Sequence, residues 1–329
     1  MASLLSSSHR DWRPPRVRLP TPLRGAEAPD AAARDPCAER GDLRRHALPN
    51  ALSRSEDLRR EPRRLVVFLD YDGTLTPIVE ESAAARMSQP MREALRRLSS
   101  RATVAVVSGR AREKIREFVD LSDLYYAGSH GFDIDGPGGL RHTVSAEAIP
   151  LLALARESLE RKLAGIAGCS LEDNRYALSV HWRKCVDARK AVEAIVDDLV
   201  ATAPFAGVLK KAEGKCVFEL RPNVDWDKGE AVLYLLDMLR KLQQGDEPQL
   251  EEASKAWYQG VLPVYVGDDT TDEDAFRALE RYGAVSVLVT PKSEAERPRM
   301  THATHTLRDV DDVMTFLDAL GAEQPGPLS

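Results

Sequence analysis

Pairs of acidic residues follow apolar runs at two distant points of the chain. Asp70 and Asp72 come directly after Leu65–Leu69, a run of five apolar residues that is typical of a strand buried on both faces. Asp268 and Asp269 follow a later apolar run in the same way. Like charges this close repel unless a cation lies between them, and carboxylate oxygens without neighbouring His or Cys favour Mg²⁺. The pattern predicts a magnesium site, although an Asp/Gly turn remains the alternative for either pair alone.

Two further segments could hold an anion near these acids. Ser108 and Arg110 follow the apolar run Thr103–Val107, and a hydroxyl beside free backbone N–H groups at a strand end forms a small anion site. Lys228 opens a predicted helix, where the helix dipole disfavours a cation, so it requires an anionic partner. A helix cap made by Ser108 and a solvated Arg110 are the ordinary alternatives.

Strand and helix patterns alternate from Arg64 onward and must position these residues. The predicted strands are Leu65–Leu69, Thr103–Val107, Leu124–Ala127, Tyr176–Trp182, Val264–Val266 and Val285–Val289. The predicted helices cover residues 88–98, 111–119, 149–163, 188–202, 228–242, 272–279 and 309–320. This order predicts an α/β fold with a doubly wound parallel, Rossmann-like core, interrupted by an α+β insertion. Ligands of such a core bind beyond the carboxyl ends of its strands, so we expect the polar residues to converge there.

Composition and charge exclude several classes of protein. The 329 residues are 43% hydrophobic and 30% charged, which is ordinary for a globular protein, and no apolar stretch is long enough to cross a bilayer. A net charge of -6 supplies no overall basic field for nucleic acid. The four cysteines form no Cys-x-x-Cys pair and indicate free thiols rather than disulfides or a zinc site.

The N-terminal segment differs from the rest of the chain. Residues 1–64 hold 14 Arg, no Lys and 9 acidic residues, together with 8 of the 20 prolines. Such a composition buries too little apolar surface to offset the entropy of ordering, so residues 1–61 are predicted to form a disordered arm, with a short helix around residues 48–58 as the alternative for its last part. An organelle transit peptide is the alternative, because the first residues are rich in Ser and Arg. We expect a cytoplasmic protein, with a plastid or other organelle left open.

The ordered motifs Asp-x-Asp-Gly-Thr, Ser-Gly-Arg, Lys and Gly-Asp-Asp resemble those of the haloacid dehalogenase superfamily. Four longer segments are similar to trehalose-6-phosphate phosphatases, namely residues 70–78, 126–134, 214–222 and 266–276. The resemblance covers about residues 62–320 and implies a phosphatase core over 62–139 and 224–322, with a cap domain over 140–223 and a flexible tail over 323–329.

The resemblance also implies a mechanism with named residues. Asp70 would attack phosphorus and form an aspartyl-phosphate, while Asp72 would act as general acid and then general base. Ser108 and Lys228 would hold the phosphoryl oxygens. Mg²⁺ would bind the side chains of Asp70 and Asp268 and the backbone carbonyl of Asp72. Two further acids would orient ligands or bound waters: Asp269 and Asp272.

The implied substrate is trehalose 6-phosphate, hydrolysed to trehalose and phosphate in the last step of trehalose biosynthesis. The residues expected to contact it are Asp70, Tyr71, Asp72, Ser108, Arg110, His130, Arg183, Lys215, Glu219 and Arg221, with His181 as a further candidate. Several of these lie in segments that alternate with period two, so an outward, solvated face is the ordinary alternative.

Two other functions stay open. One is a related phosphatase with the same type of cap, acting on sucrose phosphate or a glycosylglycerate phosphate. The other is a non-catalytic sugar-phosphate sensor, which the presence of Asp70, Asp72, Lys228 and Asp268 together disfavours. We expect a monomer that binds a small-molecule substrate and neither nucleic acid nor membrane.

Overall fold

A computed structural model describes residues 48–79, 84–214, 216–244, 251–290 and 300–322. Within them the strands are β1 (Arg64–Leu69), β2 (Thr103–Val107), β3 (Tyr125–Gly128), β4 (Asp133–Asp135), β5 (Arg141–Thr143), β6 (Ser170–Asp173), β7 (Leu178–His181), β8 (Leu209–Gly214), β9 (Val217–Pro222), β10 (Val261–Gly267), β11 (Val285–Val289) and β12 (His305–Leu307). The α-helices are α1 (Ser55–Arg59), α2 (Gln89–Ser99), α3 (Arg112–Val119), α4 (Ile149–Leu163), α5 (Arg189–Ala201), α6 (Lys228–Gln244), α7 (Glu251–Gln259), α8 (Asp272–Leu279) and α9 (Val310–Gly321).

The larger sheet has the strand order β12-β11-β10-β1-β2-β3-β4-β5. The first six strands run parallel, and β4 and β5 add an antiparallel edge. Leu69, the last residue of β1, is in register with Val266 of β10 and Val106 of β2. The chain therefore leaves these three adjacent strands at the same edge of the sheet. The predicted doubly wound parallel core is confirmed.

Both faces of this sheet are covered, as the continuous apolar runs predicted. Val67 and Leu69 of β1 pack into one cluster with residues of α2 and α9. Val66 and Phe68 point to the other face and pack with residues of α6 and α8. At the start of α2, the Ser88 side chain accepts a hydrogen bond from the Met91 N–H, which confirms the predicted cap.

A second, four-stranded antiparallel sheet has the order β6-β7-β9-β8. Helices α4 and α5 cover one side of it around a separate apolar cluster that includes Leu159, Val196 and Phe218. The burial of β9 alternates along the strand, which leaves every second side chain on the other side of the sheet. The predicted boundary at residue 140 is too early, because β5 over 141–143 still pairs with β4 in the larger sheet.

Part of the predicted arm belongs to the folded unit. Residues 51–54 and α1 form short helical turns, and the side chains of Ala51 and Leu58 are buried in the same cluster as α9. The Thr306 N–H of β12 also donates to the carbonyl of Pro49. The prediction of disorder for residues 48–61 is wrong because these two apolar residues cover the sheet edge. The predictions for residues 1–47 and for the tail over 323–329 lie outside the described residues.

The helices within the described residues include none that is both long and apolar enough to span a membrane.

Candidate active site

A buried lysine joins two acids, one at the end of a strand and one at the start of a helix. Asp70 follows β1 and is 4% exposed, and Lys228 lies at the first turn of α6. The Lys228 Nζ donates to Asp70 Oδ1 at 2.7 Å and to Asp272 Oδ1 at 2.8 Å. Asp272 also accepts hydrogen bonds from the Tyr265 hydroxyl at 2.8 Å and from the Asp269 N–H at 2.9 Å. The anionic partner that Lys228 was predicted to need is therefore a pair of carboxylates.

A third carboxylate completes an acidic cluster at this edge. Oxygens of Asp70, Asp268 and Asp272 all lie within 4.8 Å of one another. Asp268 is 7% exposed, and its Oδ1 is buried without a hydrogen-bond partner. Gly73 makes room for it: its φ is +83°, and an added Cβ would stand 2.2 Å from Asp268 Oδ2.

Burial and mutual repulsion perturb both outer acids of this cluster. Burial, opposed by Lys228 and reinforced by Asp272, raises the pKa of Asp70 to about 8. Burial and the neighbouring charge of Asp70 raise the pKa of Asp268 to about 9. Two carboxyls that resist ionisation and one orphaned oxygen are the arrangement that a divalent cation would relieve, so the residues present fit Mg²⁺.

Asp72 lies two residues beyond Asp70 and is paired with Arg110. The Arg110 Nε donates to Asp72 Oδ2 and its Nη2 to Asp72 Oδ1, each at 2.6 Å. The arginine side chain is only 8% exposed, whereas that of Asp72 is 36% exposed. Such a bidentate pair fixes both partners strongly. The acid is thus held at the mouth of the crevice rather than inside the carboxylate cluster.

Ser108 and His130 occupy the ends of β2 and the turn after β3. Ser108 is buried, and its backbone carbonyl accepts from the His130 N–H at 2.8 Å. Ser129, His130 and Gly131 all have positive φ, with values of 50°, 57° and 89°. Residues other than glycine rarely adopt this left-handed backbone conformation, so the surrounding contacts must impose the turn. The turn directs the imidazole of His130 against the Cα of Gly109, where an added Cβ would lie 2.9 Å away.

Glu219 of β9 faces the same crevice from the smaller sheet. Its Oε2 lies 2.9 Å from His130 Nε2, and its Oε1 accepts from the Ser179 hydroxyl at 3.4 Å. Although burial alone would raise it, His130 and Arg221 lower the pKa of Glu219 to about 2. Glu219 therefore presents a negative charge to the same crevice as the acidic cluster.

One cavity of about 510 Å³ lies between the two sheets. Most of the predicted site residues line it, namely Asp70, Asp72, Ser108, Arg110, His130, His181, Arg183, Glu219, Lys228, Asp268 and Asp269. Its polar lining at the edge of a parallel sheet is typical of a substrate site.

Among the residues that the structure describes, three predicted site residues do not line this cavity. Tyr71 is fully buried in the core and its hydroxyl donates to the Ala85 carbonyl, so its side chain does not line the cavity, and its contact with the substrate stays a prediction. Arg221 lies behind Glu219, with its Nε 3.9 Å from Glu219 Oε2, and the prediction of direct contact is likewise not supported. Asp272 is fully buried and holds Lys228 instead. Lys215 lies outside the described residues.

Other lining residues were missed in the sequence. Asn174, Ser179 and Glu172 face the cavity from the hairpin of β6 and β7. Glu172 binds Lys114 Nζ at 2.6 Å and lies 3.2 Å from His181 Nε2. For Glu172 and Ser179 the signal is the alternation of polar residues along β6 and β7, which does not by itself tell a cavity face from a solvated one, whereas Asn174 lies in the turn between the two strands.

Comparison with known proteins agrees with this geometry. The family model described as trehalose-phosphatase matches residues 68–310. A "Probable trehalose-phosphate phosphatase 4" of Oryza sativa is 40% identical over 282 residues, covering 84% of this chain and 71% of that protein. The "Trehalose 6-phosphate phosphatase RA3" of Zea mays is 40% identical over 312 residues, covering 88% and 80%.

A solved structure shares the fold. The C-terminal domain of a C. albicans trehalose-6-phosphate phosphatase superimposes with a TM-score of 0.68 at 23% identity, covering 83% of this chain and 98% of that one. The family model and both relatives span the crevice and the second sheet, and the chain therefore belongs to the trehalose-phosphatase family.

Proposed function

We propose that this chain is a phosphoric monoester hydrolase that converts trehalose 6-phosphate to trehalose and phosphate, the last step of trehalose biosynthesis. One observation carries the proposal: Asp70, Asp72, Ser108, Lys228 and Asp268, which are far apart in the sequence, line a single cavity. Membership of the trehalose-phosphatase family supports the substrate. Like other members of that family, the chain is a phosphatase.

The side chains of Asp70 and Asp268, with the backbone carbonyl of Asp72, would hold Mg²⁺. The orphaned Asp268 oxygen and the raised pKa of both acids support this assignment. When bound, the cation neutralises charge on the transferring phosphoryl group. Asp269 reinforces the site indirectly, since its N–H fixes the carboxylate of Asp272.

Asp70 acts as the nucleophile. Its carboxylate oxygen attacks phosphorus, the bond from phosphorus to the sugar oxygen breaks, and an aspartyl-phosphate remains. Lys228, held 2.7 Å from Asp70, balances the charge on the phosphoryl oxygens together with the Ser108 hydroxyl. Asp272 keeps Lys228 in place by sharing its ammonium group.

Asp72 moves the protons. It gives a proton to the departing sugar oxygen and then takes one from the water that hydrolyses the aspartyl-phosphate. Arg110 occupies both Asp72 oxygens at 2.6 Å, so this pair must part for the transfer. Arg110 lines the same cavity, and we assign its guanidinium to a phosphoryl oxygen during the transfer.

We assign recognition of the sugar to residues in and next to the smaller sheet, together with His130. We assign the residues after β5 and up to about 223 to a cap that covers the crevice and excludes water during transfer. Glu219 and His130 supply charged and polar groups opposite the acidic cluster, and Arg183 and Lys184 line the rim. Hydroxyl-rich sugars are recognised by such groups, since each buried polar contact that is lost costs binding energy.

The test is phosphate release from a panel of esters at equal concentration. We expect trehalose 6-phosphate to be hydrolysed with a higher kcat/KM than sucrose phosphate, a glycosylglycerate phosphate or an aryl phosphate. Equal rates on all four would refute the trehalose assignment. Binding of trehalose 6-phosphate without any release of phosphate would favour the sensor function instead. Asp70→Asn is the control for background hydrolysis, because an amide cannot replace the nucleophilic carboxylate.

A further inference from the structure

Asn174 lies where the smaller sheet meets the main sheet. It occupies the turn between β6 and β7 and is 4% exposed, and it lines the cavity. A buried polar side chain must find partners, and Asn offers one acceptor and two donors. No motif in the sequence marks this residue.

Two oxygens of Asn174, one in its side chain and one in its backbone, accept hydrogen bonds from residues next to the larger sheet. Its Oδ1 accepts from the Ala111 N–H at 3.3 Å, at the N-terminal boundary of α3, where no side chain of that segment makes a cap. Its backbone carbonyl accepts from the Ser129 hydroxyl, beside the strained turn that carries His130. Asn174 therefore supplies an acceptor that α3 lacks and ties the hairpin to the turn of His130.

The other end of Asn174 binds the smaller sheet. Its Nδ2 donates to the Ser179 Oγ at 3.1 Å, and the Ser179 hydroxyl donates in turn to Glu219 Oε1 at 3.4 Å. Because Asn174 fills an acceptor position of the Ser179 oxygen, the hydroxyl hydrogen is left to point at Glu219. The second oxygen of Glu219, Oε2, lies 2.9 Å from His130 Nε2 and 3.9 Å from Arg221 Nε.

We propose that Asn174 is a positioning residue that couples docking of the smaller sheet to the orientation of Ser179 and Glu219, and so determines recognition of the sugar. The inference rests on the proposed function. The contacts form a closed chain from Ala111 and Ser129 through Asn174, Ser179 and Glu219 to His130. Movement of the hairpin away from α3 breaks the contacts of Asn174 with Ala111 and Ser129.

An aryl phosphate separates this function from a structural one, because it carries a phosphoryl group but no sugar for Glu219 to bind. Asn174→Ala should lower kcat/KM for trehalose 6-phosphate about tenfold and change that for the aryl phosphate less than twofold. Asn174→Asp keeps an acceptor for Ala111 but cannot donate to Ser179, so it should show the same selective loss. Ser179→Ala should also match it, and the Asn174→Ala, Ser179→Ala double variant should be no worse than either single variant.

Arg175→Ala is the matched control. Arg175 lies on the same turn and binds Glu113 of α3 at 2.7 Å, but its side chain is 44% exposed and does not line the cavity. Its removal should leave both substrates within twofold. Equal losses on both substrates for Asn174→Ala, an unaffected Asn174→Asp, or additive losses in the double variant would each overturn the proposal. If the wild-type protein releases no phosphate from trehalose 6-phosphate, the proposed function itself is refuted. If the wild-type protein is active but the variants do not show the expected selective loss, only the inference about Asn174 is refuted.

Discussion

Removal of the Asp272 carboxylate should destabilise the fold strongly, even though Asp272 does not line the cavity. The side chain is fully buried and accepts hydrogen bonds from Lys228, Tyr265 and the Asp269 N–H, at 2.8, 2.8 and 2.9 Å. In Asp272→Ala the Lys228 ammonium keeps only the carboxylate of Asp70. The buried Tyr265 hydroxyl and the partly buried Asp269 N–H lose their acceptor. Breaking a buried pair costs about 3–5 kcal/mol, a large share of the 5–15 kcal/mol that stabilise a typical domain.

Asp274→Ala is the matched control, since Asp274 lies in the first turn of the same helix α8. Its side chain is 34% exposed and pairs with Arg277, which is itself 59% exposed. Such a pair contributes at most about 1 kcal/mol to the free energy of unfolding. Denaturant unfolding of both variants measures the difference. An Asp272→Ala variant that is no less stable than Asp274→Ala would refute the view that Asp272 stabilises the buried ammonium group of Lys228.

Three other perturbations have expected outcomes. Glu219→Ala should reduce kcat/KM for trehalose 6-phosphate at least about tenfold more than for an aryl phosphate, because only the sugar ester reaches Glu219; equal losses would make Glu219 structural. Gly73→Ala places a Cβ 2.2 Å from Asp268 Oδ2 at a φ of +83°, so it should weaken Mg²⁺ binding measured by calorimetry; unchanged affinity would contradict the metal assignment. EDTA should abolish activity and added Mg²⁺ restore it, and activity that ignores the chelator would exclude the metal.

The pH dependence of metal-free stability has a definite sign. Burial first, and then neighbouring acids, raise the pKa of Asp70 to about 8 and of Asp268 to about 9 from 3.8. Both carboxyls thus bind protons more tightly in the folded state, so the unfolding free energy of metal-free protein should fall as pH rises from about 4 to 9. The gain in Tm on adding Mg²⁺ should accordingly be larger at pH 9 than at pH 6. An equal gain at both values would contradict the raised pKa values.

The parallel core could be predicted because its signals are local. An apolar run such as Leu65–Leu69 must be buried on both faces, and an acid directly after it must lie at the sheet edge. The same argument predicts that Asp70, Asp268 and Ser108 lie together at that edge. Lys228 was predicted to need an anion from the helix dipole alone, and two carboxylates meet that need.

The residues that were misplaced depend on packing between distant segments. Tyr71 stands between two site acids in the sequence, yet strand alternation turns its ring into the core. Asn174 was missed because its partners Ala111, Ser129 and Ser179 come from three separate segments. Residues 48–61 carry the composition of a disordered arm, but the burial of Ala51 and Leu58 and the hydrogen bond from Thr306 of β12 to Pro49 attach this segment to the folded unit.

The most direct measurement is the covalent state of Asp70 during turnover. Asp72→Asn can neither protonate a sugar oxygen nor activate water, so the aspartyl-phosphate should accumulate when this variant is mixed with an aryl phosphate, whose leaving group departs without a proton, and quenched in acid. Mass spectrometry should then find one added phosphoryl group on the peptide that contains Asp70, and none when Asp70→Asn is introduced as well. A phosphoryl group on any other residue, or none at all while phosphate is released, would contradict the account.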